Sequence, residues 1–192
     1  LGAFGSVDFY SMKGVIEEFL EKIGMKKKPT YDAKAGIPFL HPGRQADVYC
    51  ADKKIGYIGE LHPDVADIYS IGERTYIVVI DIPTVTEMAS FDKKFTGIAK
   101  FPAVTRDISM VMPKELPVGE VEKIIEKRGG KILESYNLFD IYEGSQIKEG
   151  FKSVAYSIAF RAKDRTLEDK DITPVMEKIF KDLEADGIEL RK

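Results

Sequence analysis

Two short boxes, His41-Pro-Gly-Arg44 and Gly59-Glu-Leu-His-Pro63, gather a guanidinium, a carboxylate and both histidines of the chain. Such a set could hold a metal, bind an anion or relay a proton. A zinc helix needs a second histidine four residues on, whereas His41 and His62 each precede a proline instead. The spacing therefore predicts no metal site. Arg44, Glu60 and the two imidazoles fall at the ends of strands expected to pair. A buried arginine needs a carboxylate, so the expectation is a structural ion pair holding a hairpin, in preference to a ligand site. Cys50 stands in an apolar strand context that suits an inert thiol. The chain has no Gly-x-Ser-x-Gly elbow, Walker loop or dinucleotide fingerprint. Gly56-Tyr-Ile-Gly59 reads as close backbone approach within a strand. No catalytic set is predicted.

The elements that carry these boxes follow from periodicity. Met12, Val15, Ile16, Phe19, Leu20 and Ile23 recur at helical spacing up to Gly24, and three strands follow, at 46–50, 54–61 and 75–82. Asp52-Lys53-Lys54 is expected to turn between the first two, and His62-Pro63 to open a short helix. A helix followed by an antiparallel meander predicts an α+β piece over residues 1–90. The stretch from Val85 to Lys100 is polar, is interrupted by Gly97 and closes on Phe101-Pro102, which places a linker at 91–100.

Residues 101–192 carry a clearer order. Ile108, Met110 and Met112 alternate in a strand stopped by Pro113 and Pro117, and Val118, Val121, Ile124 and Ile125 then form a helix ended by Gly129-Gly130. Two strands, 132–142 and 154–160, are separated by a polar connection between Gly144 and Gly150 and should pair antiparallel. Thr166 with Asp169 three residues on offers a cap for a helix whose stripe is Ile172, Val175, Met176, Ile179, Phe180 and Leu183. Gly187 stops it, and Ile188-Glu-Leu190 is the last strand. A βαββαβ order with helices on one face of an antiparallel sheet is ferredoxin-like, an architecture that hosts many unrelated sites.

The 192 residues carry 44% hydrophobic content and a net charge of −3, enough apolar mass for one core or two small ones. No run approaches the ~18 apolar residues of a membrane span. Residues 1–97 hold 12 basic against 14 acidic side chains, and residues 98–192 hold 17 against 18. Neither half has the basic balance that announces nucleic-acid binding, so such a partner would be met by a local patch or by stacking and hydrogen bonds to a few bases. Lys93, Lys94, Lys100 and Arg106, and Arg161, Lys163 and Arg165, are the candidate basic clusters. A single cysteine favours a reducing, intracellular compartment. The first residue is Leu1, not Met, which predicts a piece of a longer polypeptide.

Several boxes in order resemble one family. Asp8-Phe-Tyr-Ser-Met-Lys-Gly14, Leu40-His-Pro-Gly-Arg44 and Gly56-Tyr-Ile-Gly-Glu-Leu-His-Pro63 are similar to the end of the catalytic-like module in bacterial phenylalanyl-tRNA synthetase beta subunits. Phe101-Pro-Ala-Val-Thr-Arg-Asp107, Leu138-Phe-Asp-Ile-Tyr-Glu-Gly144, Lys152-Ser153 and the Phe160-Arg-Ala-Lys-Asp-Arg-Thr-Leu167 stretch resemble that subunit's ferredoxin-fold anticodon-binding domain. The resemblance implies a class II synthetase-like module without chemistry over residues 1–90 and an anticodon-binding domain over 101–192. It implies an α2β2 cytoplasmic ligase that joins phenylalanine to tRNA(Phe) using ATP and magnesium, with the active site on the alpha subunit and no cofactor in this piece.

Carried over by motif, Asp140 and Tyr142 would meet the first anticodon base, by hydrogen bonds and by stacking respectively, with Ser153 and Ser109 alongside. A carboxylate accepts from the Watson–Crick edge of guanine, and an aromatic face stacks on an unpaired base. Arg106 and Arg165 would neutralise nearby phosphates, positioning the RNA without specifying sequence. A small-ligand or regulatory ferredoxin-like module is the competing reading. It predicts a compact apolar pocket, whereas the first predicts an open sheet bearing Asp140 and Tyr142.

Overall fold

The computed structural model describes residues 2–92 and 97–191. Part of the expected linker, including Lys93 and Lys94, therefore lies outside the described residues. The chain divides into two compact units, Leu1–Thr96 and Gly97–Lys192.

In the first unit the order is β1 (Gly2–Phe4), α1 (Phe9–Lys22), β2 (Thr30–Asp32), β3 (Leu40–Cys50), β4 (Lys53–Leu61), α2 (Pro63–Ile68), β5 (Thr75–Ile80) and α3 (Ile82–Met88). The five strands form one antiparallel sheet in the order β1-β5-β4-β3-β2. Asp8 starts α1 by accepting the Ser11 backbone N–H at 2.7 Å, a cap that satisfies one of the helix's orphan donors. The apolar stripe then buries Met12, Ile16 and Leu20 against Val48, Ile55, Ile58, Tyr76 and Val78 of the sheet. Each such side chain contributes roughly 1.5–3 kcal/mol of transfer free energy.

Three features of this unit differ from the sequence expectation. The β3–β4 turn sits at Ala51 and Asp52, whose φ values are 48° and 67°, and Lys53 is already in the strand. Two successive positive φ angles match the right-handed twist of a tight hairpin, which a turn at 52–54 would not. The third strand stops at Ile80, because Pro83 cannot donate to the ladder yet suits a first helical turn; Asp81 precedes α3, and Val85 is buried. The edge strands β1 and β2 are three residues each, too short for alternation to register.

The second unit runs β6 (Val104–Pro113), α4 (Val118–Gly129), a 3-10 turn (Gly130–Ile132), β7 (Leu133–Tyr142), β8 (Phe151–Phe160), α5 (Asp169–Ala185) and β9 (Glu189–Leu190). This is the ferredoxin-like βαββαβ order, with an antiparallel sheet β7-β8-β6-β9. Ile108, Met110, Met112, Val154, Tyr156, Ile158 and Phe160 point to one face and pack on Val121, Ile125, Ile172, Met176, Ile179 and Leu183 of the two helices. The cap of α5 is not the expected Thr166–Asp169 pair. Leu167 is buried, which keeps residues 166–167 outside the helix, and Asp171 accepts the Glu168 backbone N–H at 3.0 Å. The box has moved two residues along the chain because the hydrophobic anchor precedes it.

Candidate nucleic-acid interface

Strand β7 decides which side chains the sheet presents. Tyr136 pairs with Ile158 and Leu138 with Tyr156, so both face the helices. Simple alternation would turn Asp140 and Tyr142 the same way, into the core side. Instead the register shifts between Leu138 and Asp140: Asp140 pairs with Ala155 and Tyr142 with Ser153, leaving Phe139 as the extra residue. A bulge of this kind inverts the facing of everything beyond it. Asp140 and Tyr142 thereby reach the face that no helix of the unit covers. There they share rows with Ser109, which pairs with Ala155, and with Val111, which pairs with Ser153.

The floor of this face is low over most of its length, where β8 contributes Ser153, Ala155, Ser157 and Ala159, and Phe151, paired with Pro113, stands at its end. Asp140 is exposed and Tyr142 is 39% exposed, while Ser153 is 5% exposed. The structure thus brings Asp140, Tyr142, Ser153 and Ser109 together on one surface.

Tyr142 is seated by a glycine. A Cβ on Gly144 would lie 2.1 Å from the Tyr142 Oη and 2.3 Å from its Cζ. Gly144 does not adopt a positive φ, so the requirement is space for the ring and not backbone freedom. The obstructing atoms are the far end of a side chain, which can rotate away. Gly144→Ala is therefore expected to melt within about 4 °C of the parent, as exposed-site changes do. It should displace the Tyr142 ring, seen as shifted ring resonances in an otherwise unchanged NMR spectrum; unmoved ring resonances would refute the seating.

The two arginines of the candidate set sit elsewhere. Arg106 alternates with Asp107 and so lies on the helix side of β6, where its guanidinium pairs with Asp169 at the start of α5. Arg165 forms a two-pronged contact with Asp171 at 2.8 and 3.0 Å, which holds the Asp171 pKa below its ordinary value and raises that of Arg165. Neither is brought to the face of Asp140. Arg161, from the same expected cluster, binds Glu134 and the Phe101 carbonyl. Beside Tyr142, Lys114 pairs with Glu143 at 2.5 Å, and Lys152 donates to the Lys114 carbonyl at 3.0 Å. Burial pushes the Lys152 pKa down.

In the first unit Arg44 binds both oxygens of Glu60, at 2.9 and 3.0 Å. The Tyr76 hydroxyl donates to Glu60 at 3.0 Å, and Arg74 stands at 3.5 Å, two partners that the spacing argument missed. The register pairing of Glu60 with Tyr76 explains them, a long-range fact that sequence spacing does not carry. His41 Nδ1 accepts from the Gly43 N–H and His62 Nδ1 from the Asp64 N–H, so each imidazole closes its own local turn. Among the described residues no three His, Cys, Asp or Glu side chains converge as metal ligands.

The sheet of the second unit thus has helices on one side and hydrogen-bonding side chains with the aromatic rings of Tyr142 and Phe151 on the other. Residues 99–191 match the ferredoxin-fold anticodon binding domain family, and residues 3–82 match the phenylalanyl tRNA synthetase beta chain CLM domain. The chain is 41% identical over 192 residues to the phenylalanine–tRNA ligase beta subunit of Clostridium acetobutylicum and 42% identical over 192 residues to that of Clostridium tetani. Both alignments cover 100% of this chain and 24% of the relative. The beta subunit of Lactiplantibacillus plantarum is 36% identical over 186 residues, 96% of this chain and 23% of that protein. The chain belongs to the phenylalanine–tRNA ligase beta-subunit family and spans about a quarter of the length of these curated relatives.

Proposed function

We propose that this chain reads the first anticodon base of tRNA(Phe) on the open sheet of its second unit, as part of a phenylalanine–tRNA ligase. The observation that carries the reading is the bulge at Phe139, which aligns Asp140 and Tyr142 with Ser153 and Ser109 on one uncovered face. The two carboxylate oxygens of Asp140 would accept from the N1–H and N2–H2 groups of a guanine, and Tyr142 would stack on the base. The Ser153 and Ser109 hydroxyls would lie alongside the same base. Arg106 and Arg165 would reach phosphates only by giving up Asp169 and Asp171, and the reading does not depend on them.

In the whole ligase the alpha subunit would be the assembly partner and would carry the catalytic site, where ATP with magnesium supplies the energy to join phenylalanine to tRNA. No step of that chemistry is assigned to residues of this chain. The cytoplasm is the compartment such a ligase works in, and no helix among the described residues is long and apolar enough to cross a membrane. A small-ligand module is disfavoured by the lining of two clefts in this unit. The one between β6 and α5 holds about 250 Å³ and its Arg106 is already paired. The one at the β7–β8 connection, about 350 Å³, is walled by Lys114, Glu143, Lys148 and Glu149, with Lys114 and Glu143 paired to each other, and not by the predominantly apolar side chains of a ligand pocket.

The test is binding of the chain to anticodon stem-loop RNAs that differ only at the first anticodon position. A preference for guanosine there is the expected result. Equal binding of all four bases, or none, would overturn the reading.

A further inference from the structure

Six of the seven arginines are held by carboxylates: Arg44 and Arg74 by Glu60, Arg106 by Asp169, Arg128 by Asp182, Arg161 by Glu134 and Arg165 by Asp171. Among the described residues Arg191 has no such partner, and it is exposed. Its backbone N–H donates to the Ser109 carbonyl at 2.8 Å, continuing the β6–β9 ladder in which Glu189 pairs with Val111 and Leu190 with Met110. Leu190 packs on the core, so alternation puts Arg191 on the opposite face, in the row of Ser109, Ala155 and Asp140.

We infer that Arg191 is the phosphate contact for the nucleotide whose base lies at Asp140 and Tyr142, so that the nucleotide runs across the sheet with its base over β7 and its backbone toward β9. The inference rests on the base-reading function proposed above. Three inter-strand spacings of about 4.8 Å separate the Cα atoms of Arg191 and Asp140 by roughly 14 Å. An arginine side chain and one nucleotide together bridge that span. The chemistry is also apportioned across the row. Asp140 can only accept hydrogen bonds and would repel a phosphate, whereas a guanidinium matches phosphate oxygens with two parallel donors. The other ionisable groups that β6 and β9 turn to this face, Asp107 and Glu189, are carboxylates, and Lys114 beside Tyr142 is held by Glu143, which leaves the backbone end of the nucleotide to Arg191.

A phosphate contact and a base contact fail differently when removed. Arg191→Gln should weaken binding of the guanosine stem-loop and of its base-changed versions by the same factor, leaving the preference intact. It should also flatten the salt dependence by about 0.7 in the slope of log K against log salt, so that between about 50 and 200 mM the variant loses some 2.5-fold less affinity than the parent. Arg191→Lys, which keeps the charge, should retain the parent slope. An Arg191→Gln variant with the parent's melting curve, affinity and slope would overturn the inference while leaving the base reading intact. A parent chain with no base preference would overturn the base reading itself. A fall in preference with the slope unchanged would also refute the assignment, since Arg191 would then be touching the base.

Discussion

Tyr142→Ala is expected to weaken binding of the guanosine-containing anticodon stem-loop by roughly 1–3 kcal/mol, about 5- to 150-fold. The ring offers a partly exposed face in a row whose other members are Ser153 and Val111, neither of which can stack in its place, and Phe151 stands one row further on. Truncation should leave the fold intact, because Tyr142 lies at the end of an edge strand and outside the hydrophobic core. The expected signature separates stacking from edge recognition. Tyr142→Ala should reduce affinity for every base, since each has a π-face, whereas Asp140→Asn should chiefly erase the advantage of guanosine by replacing one acceptor with a donor. If both act on one nucleotide, the double variant should lose less than the two single losses combined, because residues sharing a ligand group couple. Isotherms for the parent and three variants against two RNAs decide it. Strict additivity, or a Tyr142→Ala variant that binds as tightly as the parent, would place the base elsewhere.

The order of elements in the second unit could be read from the residues because each has its own marker: alternating Ile108, Met110 and Met112, prolines at 113 and 117, paired glycines at 129 and 130, and a long stripe from Ile172 to Leu183. The family boxes pointed to Asp140 and Tyr142. Alternation on its own would have sent them to the core side with Tyr136 and Leu138, and only the pairing with β8 reveals the extra residue at Phe139. Arg191 escaped notice for a related reason. Sequence order clusters Arg161 with Arg165, and Arg106 with the lysines before it. The carboxylates that claim these arginines lie far along the chain in some cases, as Asp169 does for Arg106, and cannot be matched by proximity. Pairing partners, bulges and the ownership of charges are tertiary facts. Helix stripes, glycine stops and proline starts are local ones.

The largest stability effect is expected in the first unit, at Gly56. A Cβ there would fall 2.0 Å from the Val79 carbonyl oxygen, 3.0 Å from the Val79 carbonyl carbon and 3.1 Å from the Ile80 Cα. All three are backbone atoms of the neighbouring strand, so no rotamer change relieves them, in contrast to Gly144, where the obstacle is a ring that can swing away. Gly56 sits beside a second irregularity. The β3–β4 register shifts between Val48, which pairs with Gly56, and Tyr49, which pairs with Lys54. Ile55 and Ile58 on either side are fully buried, and Val78 across the ladder nearly so. Moving β5 away to admit a methyl group would open the core formed by these residues, joining overpacking to lost burial. Gly56→Ala should therefore cost roughly 3 kcal/mol or more, and at about 4–8 °C per kcal/mol for a domain of this size the unit should melt at least 12 °C lower. Amide exchange along Gly56–Leu61 and Thr75–Ile80 should accelerate with it, because those are the hydrogen bonds that must give way. A drop under about 4 °C would mean that the strands can part without disturbing the core, and that the glycine is not what sets their distance.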